Sequence, residues 1–137
     1  SMRKINDILN KQSGLLGISG ITKDVRDLRK LSVEGNDMAK LALDVFSNKV
    51  LFYIGGYAAL LGGVDAIVFT GGIGEGAWYL RKDILAELEY LGVKLDHKAN
   101  RKGDIIISKP DSKVKVYVIP TNEELEMARE VRSVIRR

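Results

Sequence analysis

The stretch VDAIVFTGGIGEGAWYLRKDIL, Val64 to Leu85, decides how this chain reads. An apolar run ends at Thr70, four of the next six residues are glycine, and a helical pattern follows. Ala66 to Phe69 is short, apolar and preceded by Gly62-Gly63, which predicts a buried strand. Leu80, Ile84, Leu85, Leu88 and Leu91 recur at helical spacing, and Gly92 ends that helix. Strand, glycines, helix is a geometry in which backbone N–H groups at a helix N-terminus meet an anion. Glycine admits positive φ and carries no Cβ to block a ligand.

Two readings of the glycines stand side by side. One is a tight turn that lets strand and helix pack closely. The other is a ligand-binding turn. GIGEGA, Gly72 to Ala77, matches the dinucleotide pattern G-x-G-x-x-A, and Asp96 stands 20 residues beyond Gly76. Against a nicotinamide-binding module, a long apolar helix precedes the strand and little chain follows. No Lys-Ser or Lys-Thr closes the loop, so a Walker motif is excluded.

Working outward, Met2 to Lys11 places Ile5, Ile8 and Leu9 on one side of a short amphipathic helix. Ser1 before Met2 reads as a cloning remnant. Ser13 to Gly20 reads as a small-residue loop. TKDVRDLRK opens a helical turn with Thr22 as its N-cap. Asn36 opens a long helix with Met38, Leu41 and Val45 on one face. Its second half, Val50 to Leu61, is apolar all round and calls for burial on several sides. Lys98 to Asp104 is a polar loop, Ile105 to Ser108 and Lys115 to Pro120 are strands joined by the turn Lys109 to Lys113, and Thr121 opens a last helix with Leu125, Ala128, Val131 and Ile135 in its stripe. Strands alternating with helices give an α/β class. Three strands are few for a complete domain of that class.

The chain has 137 residues, enough for one core, with 45% hydrophobic and 29% charged residues. Its formal charge of +4 is interspersed, and the basic last turn suits a helix C-terminus, so nucleic acid is not an expected partner. There is no cysteine, hence no disulfide and no thiolate metal site, which suits the cytoplasm. No run is long enough for a membrane span.

Two further segments carry candidate chemistry. In IPTNEELEMARE, Thr121 and Glu124 form a capping box, and Glu123 is a spare carboxylate able to help hold hydrated Mg²⁺ or simply to face solvent. In TKDVRDLRK, Arg26 lies between Asp24 and Asp27, as a surface ion pair or as a planar fork for phosphate oxygens. His97 has no obvious partner. Trp78 and Tyr79 cover either a base or the core.

SGLLGISGITKDVRDL, AKLALDVF, YIGGYAALLGGVDAIVFTGGIGE and VIPTNEELEMARE, in this order, closely resemble acetate kinase from about Lys11 to Val131. Propionate kinase is a close relative of that family. The resemblance implies a partial ribonuclease-H-like domain of the acetate and sugar kinase/Hsp70/actin superfamily, with few strands and several helices. It implies that residues 1–137 are the C-terminal nucleotide-binding part of an enzyme making ADP and acetyl phosphate from ATP and acetate with Mg²⁺.

By the same resemblance, Gly72, Ile73, Gly74, Glu75 and Gly76 lie against the adenosine. Asp24 and Val25 line the nucleotide, Arg26 reaches the transferring phosphoryl group, and Glu123 takes the Mg²⁺ role. The family usually reads GIGEN followed by Ser, and Gly76 and Ala77 stand there instead. The family's N-terminal domain, acetate pocket, catalytic histidine and second arginine match nothing in this chain. The implied state alone is therefore inactive, with acetate or another short carboxylate bound only beside that other part. The apolar second half of the long helix points to a homodimer. A non-catalytic interaction module is the other reading.

Overall fold

The computed structural model describes residues 1–135. The element order is α1 (Met2–Lys11), α2 (Gly14–Ser19), α3 (Val25–Val33), α4 (Asp37–Leu60), β1 (Ala66–Phe69), α5 (Gly71–Gly76), α6 (Trp78–Ala86), a 3-10 turn (Glu89–Leu91), α7 (His97–Lys102), β2 (Lys115–Val118) and α8 (Glu123–Ile135). The class is α/β, as expected. β1 and β2 pair in parallel, with Ala66 opposite Lys115 and Phe69 opposite Val118. Parallel partners need a crossover, and α5 to α7 supply it.

Two apolar clusters make the core. Leu28, Ala39, Ala42, Leu43 and Leu80 fill one between α3, α4 and α6. Ile67, Ile84, Leu85, Leu88, Val114 and Val116 fill the other beneath the sheet. α6 contributes to both, so it is the spine that joins them. The glycine segment enters directly ahead of that spine.

Several sequence expectations change. Within Ser13 to Gly20, Gly14–Ser19 is helix α2 rather than loop, because Leu15 and Ile18 gain burial against the first cluster. The N-cap of α3 is Asp24, not Thr22: Asp24 Oδ1 accepts from Arg26 N at 2.8 Å. Thr22 acts one step earlier, its Oγ1 accepting from Asp24 N at 3.1 Å. On α4 the buried face is Ala39, Ala42 and Leu43, while Met38, Leu41 and Val45 are exposed. The smaller residues let α3 approach, and the long helix turns its larger side chains outward.

Residues 98–102 lie in α7, not in a loop. Asp96 Oδ1 accepts from Lys98 N and Ala99 N at 2.9 Å each, and Gly103 closes the helix at φ 73°. Ile105 to Ser108 forms no ladder of its own. It flanks β2 through separate contacts, with Ile107 N donating to Val116 O and Val118 N to Ile105 O. Among the described residues, then, two strands are formed rather than three. β1 buries Ile67 but leaves Ala66 and Val68 exposed, so it is half-covered rather than buried.

The capping box at Thr121 is not formed. Asn122 Oδ1 accepts from Leu125 N at 2.9 Å and caps α8 instead. The stripe of α8 is exposed, and the helix buries no residue. Among the described residues, no helix is long and apolar enough to cross a membrane.

Candidate functional site

Each glycine after β1 has its own reason to be there. Thr70 is still extended, at φ −151°, and Gly71 reverses the chain at φ +71°, where a side chain would be strained. Gly74 faces inward: a Cβ there would stand 3.3 Å from the carbonyl carbon of Phe69. Gly72 and Gly76 do neither, since a Cβ on either would meet nothing within 4 Å. Two glycines therefore build the turn, and two keep its outer surface bare.

That bare surface is one wall of a cleft of about 570 Å³. Gly72, Ile73, Gly76, Ala77 and Tyr79 form the wall; Lys23, Asp24, Val25, Arg26 and Arg29 form the other. The walls are pinned together where Tyr79 Oη donates to Val25 O at 3.2 Å. The Arg29 guanidinium lies 4.8 Å from the Tyr79 ring centroid, a cation–π contact. Three cationic side chains against one carboxylate favour an anionic ligand.

Arg26 is parked within the cleft. Its Nη2 and Nε donate to the two carboxylate oxygens of Asp24 at 2.6 and 3.1 Å. That hydrogen-bonded pair, together with the amide of Arg26, holds the Asp24 carboxyl well below the usual carboxylate range. Exposed pairs of this kind are weak, so the guanidinium can be drawn away by a better anion.

The opposite face of α5 borders a second, shallow hollow of about 490 Å³, with Gly71, Gly72 and Glu75 across from Thr121, Asn122, Glu123 and Glu124. Glu75 Oε1 accepts from Thr121 N at 3.0 Å and from Thr121 Oγ1 at 3.2 Å, which lowers its carboxyl from the ordinary value. Glu123 lies in this hollow. Among the described residues, no group of three or more His, Cys, Asp or Glu gathers as a metal cage. The structure thus brings Asp24, Val25, Arg26, Gly72, Ile73 and Gly76 to one cleft. It packs Gly74 on Phe69, and it places Glu75 and Glu123 on the other side of α5.

Sequence reading missed Arg81 and Asn100. Arg81 is 1% exposed. Its Nη1 donates to the carbonyls of Gly74 and Glu75, both at 2.7 Å, closing the C-terminal end of α5. Its Nε and Nη2 donate to Asn100 Oδ1 and O, both at 2.8 Å. Asn100 Nδ2 in turn donates to Trp78 O at 2.9 Å. A signal was present: Arg81 shares the buried face of α6 with Ile84 and Leu85, three and four residues on. The Rossmann reading fares badly, since Asp96 is occupied in capping α7. His97 is exposed.

The sequence profile of the Acetokinase family matches residues 1–129. This chain belongs to the acetokinase family. It is 52% identical to the acetate kinase of Clostridium novyi, over 100% of this chain and 35% of the relative. It is 59% identical to that of Finegoldia magna, over 95% of this chain and 33% of the relative. Among solved structures, the acetate kinase of Porphyromonas gingivalis superposes with a TM-score of 0.87 at 38% identity, over 98% of this chain and 35% of that one. A propionate kinase from Francisella tularensis gives 0.86 at 43% identity, over 95% of this chain and 33% of that one. This acetokinase chain therefore has the α/β fold of the acetate and sugar kinase/Hsp70/actin superfamily, and it spans about a third of the length of the curated relatives it matches.

Proposed function

We propose that residues 1–137 are the C-terminal nucleotide-binding part of an acetate kinase, an enzyme of the cytoplasm that transfers phosphate from ATP to acetate. One observation carries the reading: the fold brings Asp24-Val25-Arg26 and the bare glycines Gly72 and Gly76 to opposite walls of one cationic cleft. Adenosine lies along Gly72, Ile73 and Gly76, where backbone can be approached closely. Arg26 leaves Asp24 to meet phosphoryl oxygens, for which its planar fork is suited. Gly74 and Glu75 act from behind this surface.

Mg²⁺ fits the second hollow in a limited sense. A hydrated Mg²⁺ takes one or two carboxylates plus phosphate and water oxygens, so the lack of a three-carboxylate cage is no obstacle. Glu123 would hold it, and the ion would neutralise phosphate charge. Phosphoryl transfer depends on positioning and on cations around the transferring group, and in this reading Arg26 serves as one such cation while the partners it needs belong to the rest of the enzyme. Assayed alone with acetate, ATP and Mg²⁺, the chain is expected to show no turnover. Turnover abolished by Arg26→Ala would overturn that expectation.

The nucleotide reading is tested by calorimetric titration with ADP. Gly72→Val adds bulk to the cleft at a position where a Cβ meets nothing within 4 Å, so it should weaken ADP binding by about tenfold or more, a loss of about 1.4 kcal/mol. Unchanged affinity in that variant would place the ligand elsewhere. Gly74→Val is unsuitable, because it disturbs the packing on Phe69.

The propionate kinase likeness supports a second acceptor. Comparing acetate and propionate turnover in the full-length enzyme separates the two. A homodimer, or an interaction module without catalysis, is supported by α4, where Phe52, Tyr57 and Leu60 are 70%, 62% and 83% exposed. A contiguous apolar face of this kind marks an interface. Light scattering at micromolar concentration should show a dimer or larger; a stable monomer would count against association through this face.

A further inference from the structure

The acidic side chain of the glycine segment has a different outlook from its neighbours. Gly72, Ile73 and Gly76 line the cleft, and Glu75 does not. Its carboxylate turns to the far side of α5 and takes both donors of Thr121, the backbone amide and the hydroxyl, on the single atom Oε1. Thr121 stands two residues before α8, and α8 begins with Glu123. This helix buries no residue of its own, so apolar packing does little to fix it. Upstream, the chain is tied to the sheet where Ile119 N donates to Phe69 O at 2.9 Å. The Glu75–Thr121 pair is the next tie along the chain, and it joins α8 to the segment that walls the cleft.

We propose that Glu75 is a positioning residue that anchors the start of α8, and with it Glu123, to the glycine segment. The juxtaposition follows from α5 having two working faces six residues long. One face borders the cleft; the other borders the hollow that contains Glu123, and Gly72 lines both. A ligand that settles against Gly72 and Gly76 therefore presses on the element that holds Thr121. Glu75 makes the metal-associated carboxylate and the nucleotide surface one unit without touching the nucleotide itself. This deepens the nucleotide reading and rests on it for the ligand, while the anchoring of α8 stands on the hydrogen bonds alone.

The test uses the whole chain as wild type, Glu75→Ala and Glu75→Gln, with far-UV circular dichroism to confirm folding. Gln keeps a side-chain oxygen that accepts from Thr121 N and Oγ1, so it is the rescuing variant. In the ligand-free protein, amide exchange at residues 121–126 should rise by about an order of magnitude in Glu75→Ala and stay near wild type in Glu75→Gln. Titrations with ADP alone and with ADP plus MgCl2 form the second arm. Glu75→Ala should keep the metal-free ADP affinity and lose the gain that Mg²⁺ gives, with Glu75→Gln restoring it.

Unchanged exchange in Glu75→Ala would overturn the proposal. So would a loss of metal-free ADP affinity as large as the loss with Mg²⁺, because Glu75 would then be a direct nucleotide contact. If the wild type binds no ADP at all, the nucleotide reading fails, and the exchange arm still decides whether Glu75 anchors α8.

Discussion

Arg81 Nε donates to Asn100 Oδ1 at 2.8 Å, across a buried junction between two helices. The same guanidinium closes the carbonyl end of α5 through Gly74 and Glu75. Four glycines make a poor helix, each about 1 kcal/mol less favourable than alanine. The shape of the cleft wall therefore depends on a cation held from behind it.

Arg81→Met should leave the part-buried carbonyls of Gly74 and Glu75 and both buried oxygens of Asn100 without this donor, and should destabilise by about 3 kcal/mol or more. Asn100→Ala frees Trp78 O and part of Arg81, with a loss of about 2 kcal/mol. Because the two share one network, the double variant should lose less than the sum. Thermal unfolding of all four proteins measures this.

Among the glycines, Gly71→Ala and Gly74→Ala should each lower stability by about 1–2 kcal/mol, the first through positive φ and the second through contact with Phe69. Gly72→Ala should be neutral or slightly stabilising, since its φ suits alanine and its surroundings are open. Denaturant midpoints would reveal equal losses at all three if the division of roles were wrong.

Burial separates two leucines of similar appearance in the sequence. Leu88 is 0% exposed in the sheet-side cluster, so Leu88→Ala should destabilise by about 3 kcal/mol. Leu60 lies at the exposed end of α4, and Leu60→Ala should stay within about 0.5 kcal/mol in dilute protein. A large stability loss for Leu60→Ala that grows with protein concentration would show that the helix face is covered by a second copy.

Acid should loosen the site. Asp24, Glu75 and Asp96 all have carboxyls lowered below their ordinary values, by Arg26, by Thr121 and by the amide of Ala99 respectively. A lowered folded value means the contribution is complete above the ordinary range and is lost as pH falls through it, below about pH 4. Melting temperature followed from pH 7 to pH 2 should fall at the acid end. The fall should be shallower in Asp24→Asn and Glu75→Gln, whose caps or contacts no longer titrate. Parallel curves for all three proteins would contradict the assignment.

Much of this protein was legible along the chain. A short apolar run marked β1, a strand-turn-strand pattern marked β2, helical spacing marked α1 and α6, and Asn36 and Gly62-Gly63 marked the ends of α4, because these signals are local in the backbone. The motifs also sufficed to point to the acetokinase family. Local signals failed where distant contacts decided. The segment 14–19 is helical because a core lies under Leu15 and Ile18, and Ile105–Ser108 is not a ladder strand despite its β-branched run. Thr121 fits a capping box by spacing, yet Glu75, 46 residues away, takes its donors.

The same boundary runs through the candidate site. Sequence supplied the glycines and the Asp24-Val25-Arg26 segment, since bare backbone and planar cations are properties of residue type. Only the tertiary structure divided the glycines into turn-makers and cleft surface, sent Glu75 to the opposite face from Gly76, and put Arg81 behind them. Those assignments depend on which way a six-residue helix is rotated against β1 and α6, and packing at Phe69, Ala77 and Leu80 sets that rotation.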